Sequence, residues 1–171
     1  MDKILHLPHV EIYHIKIMLP LQDEMSDTLS KKSPYRVLAL EKDTSLSDLG
    51  YMVLDLFDFD FDHLFGFYDN LKWWADSDEA YEMEEESFNF ELDENPTKSK
   101  SLLDKVTIGD IFTRKGKKWL MLYDYGDEWK FWLTLDKKVK YDPSIEYPVL
   151  IAAKYDSPRQ YPDWDEEEIE G

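Results

Sequence analysis

Cysteine is absent from this 171-residue chain, and glycine is scarce, with only 6 residues. Without cysteine the chain forms no disulfide, holds no thiolate-bound zinc and has no cysteine nucleophile. It also has neither the Gly-x-Ser-x-Gly turn of serine hydrolases nor a glycine-rich phosphate loop. The sequence therefore gives no support to nucleophilic catalysis through serine or cysteine, or to nucleotide binding through such a loop.

Long hydrophobic runs are missing as well. The N-terminal stretch MDKILHLPHVEIYH is interrupted by His and Pro, so it lacks the apolar segment of about 7 to 15 residues that a secretory signal needs. No stretch approaches the roughly 20 apolar residues of a membrane-spanning helix. We therefore expect a soluble, cytoplasmic protein with no membrane partner.

Basic residues are few, because 20 Lys and Arg oppose 38 Asp and Glu, which gives a net charge of −18. The acidic excess is concentrated at 58–96, where 14 acidic residues accompany one lysine, whereas 97–140 carry 11 basic and 6 acidic residues. DNA and RNA binding relies on Lys and Arg contacts to phosphate, so the composition argues against a nucleic-acid partner. The basic block from Lys98 to Lys140 leaves nucleic-acid binding open as an alternative, although the block more simply offsets the acidic one within a single fold.

The charge imbalance also predicts how salt affects the fold. Repulsion among like charges favours expansion of a chain with a net charge of −18, and added ions screen that repulsion. We expect the melting temperature to rise as the salt concentration increases from about 0.02 to 0.3 M. Thermal unfolding followed by circular dichroism checks this, and a flat or falling melting temperature would contradict it.

Aromatic residues are plentiful, with 6 Trp, 11 Tyr and 9 Phe. A chain of this length buries roughly 70% of the surface that its unfolded form exposes, which is enough for one domain with a substantial core. The last residues, from 164 to 171, are mostly acidic. We assign the domain to residues 1–163 and a disordered tail to 164–171.

The spacing of apolar residues predicts the fold class. Leu46, Leu49 and Val53 recur at helical spacing, with Thr44 or Ser45 as the cap, and 107–112 read as one further helical turn. Alternating or continuous apolar runs predict strands at 10–19, 35–40, 64–68, 87–92, 117–123, 128–136 and 147–153. Many strands and few helices predict an α+β fold, a mostly antiparallel sheet with one main amphipathic helix packed on a face.

Three segments carry a family resemblance when they are taken together, namely RVLALEKDTSLSDL, FDHLFGF and YDYGDEW. In this order and approximate spacing, the chain resembles the plasmid pRiA4b ORF-3-like family over residues 10–163. The matched positions are Arg36, Leu46, Leu49, His63, Leu64, Phe67, Asp124, Gly126, Asp127 and Trp129. The family is uncharacterised, so the resemblance implies an architecture and little chemistry.

The chain also departs from the family pattern. Tyr35 and Phe59 replace tryptophans, and Phe131 occupies the place of the His that follows the Gly-Asp-x-Trp element. The C-terminal Pro-Pro-Glu-Asp element is replaced by SPRQYP at 157–162. If that His and those acids form a reactive site in other members, this chain has lost part of it.

The sequence Asp124-Tyr125-Gly126-Asp127 lies between two apolar, aromatic runs and raises the question of a catalytic acid pair. A hairpin turn explains it more simply, because glycine supplies positive φ and Asp side chains hydrogen-bond the amides of a turn. We therefore expect Gly126 to take positive φ and both acids to shape the turn. A solvated turn seldom separates the pKa values of two carboxyls enough for acid and base catalysis.

An enzymatic alternative remains. A metal-assisted hydrolase-like or nuclease-like site would use His63 with Asp62, Asp124 and Asp127, if the fold brings them together. Two other metal patterns are weak: the calcium-loop-like stretch that begins at Asp58 has His63 where glycine is needed, and Pro8 separates the directions of the N-terminal histidines. These histidines are His6, His9 and His14. The sequence predicts no cofactor and no bound metal.

The leading hypothesis is a non-enzymatic protein-binding module. Tryptophan and tyrosine are favoured at the energetic centres of interfaces, and the Trp73-Trp74 pair lies within the acidic block, which would suit a basic protein or peptide. The predicted binding residues are Trp73, Trp74, Tyr125, Trp129, Trp132 and Tyr161. The sequence does not indicate the oligomeric state.

Overall fold

The computed structural model describes residues 11–22, 28–84 and 102–161. Its elements in chain order are strands β1 (Glu11–Met18) and β2 (Tyr35–Glu41), helix α1 (Leu46–Leu56), strand β3 (Phe65–Tyr68), a 3-10 turn at Trp74–Asp76, strand β4 (Ala80–Glu82), helices α2 (Leu102–Lys105) and α3 (Ile108–Ile111), and strands β5 (Lys118–Tyr123), β6 (Trp129–Lys140) and β7 (Val149–Lys154). The strands form one antiparallel sheet in the order β4-β3-β5-β6-β1-β2-β7. The predicted α+β class is confirmed.

One face of the sheet, which we call the core face, is covered by α1. Because side chains alternate along a strand, β1 sends Tyr13, Ile15 and Ile17 to this face, and all three are buried. Helix α1 begins where predicted, since the Ser45 hydroxyl accepts a hydrogen bond from the Asp48 amide at 3.1 Å. It buries Leu46, Leu49 and Val53 against the sheet, as their spacing predicted.

Helix α1 packs tightly against the sheet at Gly50. A Cβ atom on Gly50 would overlap the ring of Phe65, which lies in β3 and is fully buried. The helix and the strand therefore approach each other at a distance that only glycine permits.

The opposite face of the sheet, which we call the outer face, carries a second and smaller cluster. Leu120 and Leu122 are fully buried there beside Tyr68. Four partly buried side chains cover them, and these are Leu71, Trp74, Tyr125 and Trp132. The segment after β3 thus folds back over the outer face.

Some elements agree with the sequence prediction and others do not. Thr107 caps α3 in a capping box with Asp110, as the short helical turn at 107–112 predicted, whereas the sequence pattern gave no sign of β4 or α2. The predicted strand at 87–92 and the predicted tail at 164–171 lie outside the described residues, so the domain boundary stays a prediction. None of the helices in the described part of the chain is long and apolar enough to cross a membrane.

Two core-face tryptophans give a matched test of stability. The indole N–H of Trp119 donates to the Ile111 carbonyl at 2.9 Å, whereas the buried indole N–H of Trp129 has no hydrogen-bond partner among the described residues. Trp119→Phe should lower the free energy of unfolding by about 2 to 3 kcal/mol, because it leaves a cavity and an unpaired carbonyl. Trp129→Phe should cost about 1 kcal/mol or less, because its donor is already desolvated without a bond. Urea unfolding measures both, and equal losses would contradict the assignment.

Candidate functional site

The turn between β5 and β6 is held by Asp124. Its Oδ1 atom accepts hydrogen bonds from the amides of Gly126 at 3.0 Å and Asp127 at 3.3 Å, which is the structural role predicted for a turn acid. Positive φ occurs at Asp124 (62°) and Glu128 (54°), and Gly126 is not among the positive-φ residues of the described chain. The expectation that Gly126 supplies positive φ is therefore wrong. Glycine instead lets the backbone at 126 lie close to the Asp124 carboxylate, since a Cβ on Gly126 would lie 3.3 Å from Asp124 Oδ1.

The second carboxylate oxygen of Asp124 faces an imidazole. Asp124 Oδ2 lies 3.4 Å from Nε2 of His63, and Asp62 Oδ1 lies 3.6 Å from the same nitrogen. Both separations exceed an ordinary hydrogen bond. The Asp124 side chain is only 10% exposed, whereas that of His63 is 44% exposed. Asp124 therefore does more than shape the turn.

Asp127 does not join this group. Its amide donates to Asp124, but its carboxylate makes no ion pair or hydrogen bond among the residues that the structure describes. The structure thus brings together three of the four residues of the enzymatic alternative, namely His63, Asp62 and Asp124. Its fourth residue, Asp127, lies at the solvent-exposed end of the turn.

Asp62 is the acceptor for two tyrosines. The Tyr123 hydroxyl donates to Asp62 Oδ1 at 2.7 Å, and the Tyr161 hydroxyl donates to Asp62 Oδ2 at 2.5 Å. Partial burial by itself would raise the pKa of the Asp62 carboxyl, but these hydroxyls and His63 outweigh it, so that the pKa is lowered. Burial raises the pKa of Tyr123 to about 12. The structure therefore favours an ionised Asp62 between neutral tyrosines.

The chain after β7 completes the site. The Ser157 hydroxyl donates to the Phe57 carbonyl at 2.7 Å, and Gln160 accepts the Asp60 amide at 2.6 Å, so residues 157–161 are fastened to the segment after α1. The two segments border an open cleft of about 510 Å3, together with Arg36, whose guanidinium lies 4.8 Å from the centre of the Phe57 ring. The backbone has positive φ at Asp58, which lines the cleft, a feature often found near functional sites.

Tyr161 gives a direct test of this arrangement. Tyr161→Phe removes one hydrogen bond to the Asp62 carboxylate and should raise its pKa. A carboxyl with a lowered pKa stabilises the fold above its unfolded pKa, and that stability is lost as the pH falls through the folded value. The variant should therefore lose stability at higher pH than wild type, below about pH 4.

Carboxyl titration by NMR and melting temperatures from pH about 2 to 6 measure both effects. Tyr141→Phe, outside this network, is the control and should leave the titration of Asp62 unchanged. An unchanged Asp62 pKa in Tyr161→Phe would show that the hydroxyl does not bind the carboxylate in solution.

No predicted metal pattern is assembled in the described part of the chain, and this includes His63 with Asp62 and Asp124. Among the described residues, no group of three or more His, Asp or Glu side chains has an arrangement that could hold a metal ion. His14 lies in β1, and His6 and His9 lie outside the described residues. In the calcium-loop-like stretch, Phe59 is buried, whereas Phe61 is 42% exposed and packs edge-on against Tyr51 of α1, with ring centres 5.0 Å apart.

The six predicted binding aromatics do not form one surface. Trp74, Tyr125 and Trp132 pack on the outer face, whereas Trp129 packs on the core face against Phe59, with ring centres 4.8 Å apart. Tyr161 lies beside Asp62. Trp73 is 62% exposed. Only the outer-face group and the adjacent Trp73 can therefore act together.

Trp73 is presented by residues 69–79, which we call the acidic loop. Asn70 Oδ1 accepts the Trp73 amide at 2.9 Å, and the Asp69 carboxylate accepts the amides of Asp78 and Glu79 at 3.0 and 3.1 Å. Trp74 anchors the loop, because its indole N–H donates to Glu128 Oε1 at 2.7 Å. The loop is thus ordered by its own side chains, and it leaves the Trp73 ring in solvent.

Sequence reasoning missed several residues of both regions. Tyr123, Gln160 and Arg36 support the cleft, and Tyr68 supports the acidic loop by bonding its hydroxyl to that of Tyr125 at 2.7 Å. Tyr123 could have been identified as a site residue from the sequence, since it directly precedes Asp124 in a family motif. Gln160 had none, because its contact with Asp60 spans 100 residues.

Comparison with known proteins agrees with this fold. A crystal structure of a protein of unknown function from Methanosarcina mazei Go1 is similar, with a TM-score of 0.64 and 19% identity, over 94% of this chain and 80% of that one. At that identity the likeness shows the fold alone, and no functionally curated protein matches significantly. The profile of the plasmid pRiA4b ORF-3-like proteins matches residues 15–161. The chain therefore belongs to the plasmid pRiA4b ORF-3-like family, as its three motifs predicted.

Proposed function

We propose that this protein is a binding module for a basic protein or peptide, and that the acidic loop with Trp73 is its recognition surface. The observation that carries the proposal is a largely exposed tryptophan on an ordered, acidic loop. An exposed indole costs hydration free energy in the unbound protein, and tryptophan is enriched at the energetic centres of interfaces. Because the loop is already ordered, binding would cost little conformational entropy.

The charges around Trp73 favour a cationic partner. Asp76, Asp78, Glu79 and Glu82 are all exposed, and Lys72 is the single basic residue of the acidic loop. The ammonium of Lys72 lies 5.8 Å from the centre of the Trp73 ring, which is within the range of a cation–π contact. An arginine or lysine of a partner could occupy the same ring face, with carboxylates around it.

The proposal is tested with a probe of defined chemistry, a fluorescein-labelled hexa-arginine peptide, whose binding is followed by fluorescence anisotropy. Trp73→Ala removes the ring and leaves every charge in place. If Trp73 is a central contact worth about 2 kcal/mol, the variant should bind roughly 30-fold more weakly. Tyr51→Ala, which removes another exposed aromatic ring on α1, should bind as wild type does.

The control separates recognition from bulk attraction. A chain with a net charge of −18 attracts any polycation, and such attraction weakens steeply with salt but does not depend on one aromatic ring. Equal affinities of wild type and Trp73→Ala at about 0.15 M salt would contradict the proposal. Binding of the peptide by neither protein would contradict it as well.

A second candidate function rests on the position of His63. The turn fixes Asp124 Oδ2 3.4 Å from Nε2 of the half-exposed imidazole, so that a small movement would give a base oriented by a carboxylate. We propose as the alternative a hydrolase-like or nuclease-like enzyme that uses His63 with Asp62 and Asp124. Asp127 is omitted because its side chain lies apart.

Thermal unfolding with added Mg, Mn, Ca or Zn ions, and with a chelator, separates the two candidates. At a constant, high salt concentration, at which the like charges are already screened, the binding module predicts no ion-specific shift of the melting temperature beyond error. A saturable rise with one ion, lost in His63→Ala and retained in Asp127→Asn, would favour the metal-assisted enzyme instead. Asp127→Asn is the matched control because it removes a nearby charge that does not face the imidazole.

A further inference from the structure

The β7 edge of the sheet carries a concentration of exposed apolar side chains. Of the ten large hydrophobic side chains that are exposed in the described part of the chain, five lie between residues 141 and 155. Leu150 and Ile151 are the most exposed of them, at 47% and 50%. We call this group the edge patch, and its members are Tyr141, Ile145, Leu150, Ile151 and Tyr155. Apolar patches of this kind mark interaction surfaces.

The backbone geometry sets how the edge patch can be used. In the pairing of β7 with β2, Ala152 lies opposite Val37 and Leu150 lies opposite Leu38, so Ile151 is the extra residue of a bulge. A bulge disrupts the regular ladder that another strand would extend. A partner would therefore meet the exposed side chains rather than prolong the sheet by a full strand.

The distribution of charge allows a second copy of this chain to bind at the edge patch. The acidic loop connects β3 with β4, and the strand order places β4 and β7 at opposite edges. The loop itself folds back over β5, which lies four strand spacings from β7, or roughly 19 Å, about twice the Debye length of about 8 Å at physiological salt. Two copies that meet at β7 would keep their acidic loops apart, and the charges of 141–161 nearly balance, with Lys154 and Arg159 against Asp142, Glu146 and Asp156.

The charges next to the edge patch are self-complementary. Glu146 precedes Leu150 and Ile151, and Lys154 follows them. In a contact whose two-fold axis is perpendicular to β7, the two β7 strands run antiparallel, so Lys154 of each copy lies toward Glu146 of the other. We propose that this protein forms a symmetric homodimer in which the edge patches pack together and Glu146 pairs with Lys154 across the axis.

The size of the edge patch determines how tightly the dimer is expected to associate. A few half-exposed side chains bury less than the roughly 1,600 Å2 of a standard interface. The dimer should therefore have a dissociation constant on the order of 1 to 100 μM and exchange with monomer. This inference is independent of the proposed recognition surface, because the acidic loop packs over β5 whereas the edge patch lies at β7.

Sedimentation velocity of the full chain, from about 1 to 500 μM, tests the dimer. The sedimentation coefficient should rise with concentration, and Ile151→Lys should raise the dissociation constant at least about tenfold. Ile151 is exposed, so this substitution should leave the melting temperature of the monomer nearly unchanged. A wild-type chain that stays monomeric throughout would overturn the proposal, as would a dimer that Ile151→Lys does not weaken.

A charge exchange tests the symmetry of the contact. Glu146→Lys alone and Lys154→Glu alone should each weaken association about three- to tenfold, because each places like charges across the axis. The double variant restores opposite charges and should return to within about twofold of wild type. Two single variants that weaken association without recovery in the double variant would overturn the proposed axis. Single variants without any effect would overturn it too.

Discussion

Replacing Gly50 with alanine should lower the free energy of unfolding by about 2 to 3 kcal/mol. A Cβ at this position overlaps the ring of Phe65, and the ring is enclosed in the core, so that either the helix or the strand must shift. Alanine is the better helix former by about 1 kcal/mol, which offsets part of the loss. For a chain of this length the melting temperature should fall by roughly 5 to 10 °C.

The double variant Gly50→Ala/Phe65→Leu is the control for this prediction. Leucine lacks the ring edge that the new methyl group would meet, so the second substitution should cost less in the Gly50→Ala background than in wild type. We expect a coupling energy of at least about 1 kcal/mol in urea unfolding. If Gly50→Ala is as stable as wild type, the close packing of α1 on β3 is wrong.

Asp124→Ala should cost about 3 kcal/mol of stability. The change removes the acceptor for two turn amides and places alanine at a φ of 62°, where its Cβ is strained. Asp124→Asn should cost about 1 kcal/mol or less, because asparagine keeps a carbonyl acceptor and tolerates this backbone conformation. Urea unfolding measures both variants.

Comparison of the two Asp124 variants separates the effect of the hydrogen-bond acceptor from the effect of the negative charge. A large loss in Asp124→Ala with a small loss in Asp124→Asn shows that the turn depends on an acceptor and not on a charge. Equal, large losses would mean that the negative charge beside His63 stabilises the fold. That result would support the His63 site over the structural role of Asp124 in the turn.

The fold was largely predictable from local patterns. The spacing of Leu46, Leu49 and Val53 located α1, and alternation along β1 and β6 identified their buried faces. Strand β4 was not predicted because it has only three residues, two of which are exposed, and so presents no apolar pattern. Local patterns also misplaced the positive φ of the hairpin, since an Asp that bonds its own turn can adopt it in place of Gly126.

The candidate sites were less predictable because they depend on contacts between distant residues. His63 meets Asp124 only because β3 pairs with β5 in a register that sets Phe65 opposite Tyr123. No local pattern gives that register. The sequence could have predicted that the aromatic residues divide between the two faces of the sheet. Trp129 and Trp132 are an odd number of residues apart in β6 and must therefore face opposite sides.

The most direct test of the proposed function is a chemical-shift titration of the 15N-labelled protein with unlabelled hexa-arginine peptide. We expect the largest changes at the backbone amides of 69–79 and at the indole N–H of Trp73, with small changes at 57–63 and 156–161. The opposite pattern, with the largest changes around His63, would contradict recognition by the acidic loop, and so would changes spread evenly over the acidic surface.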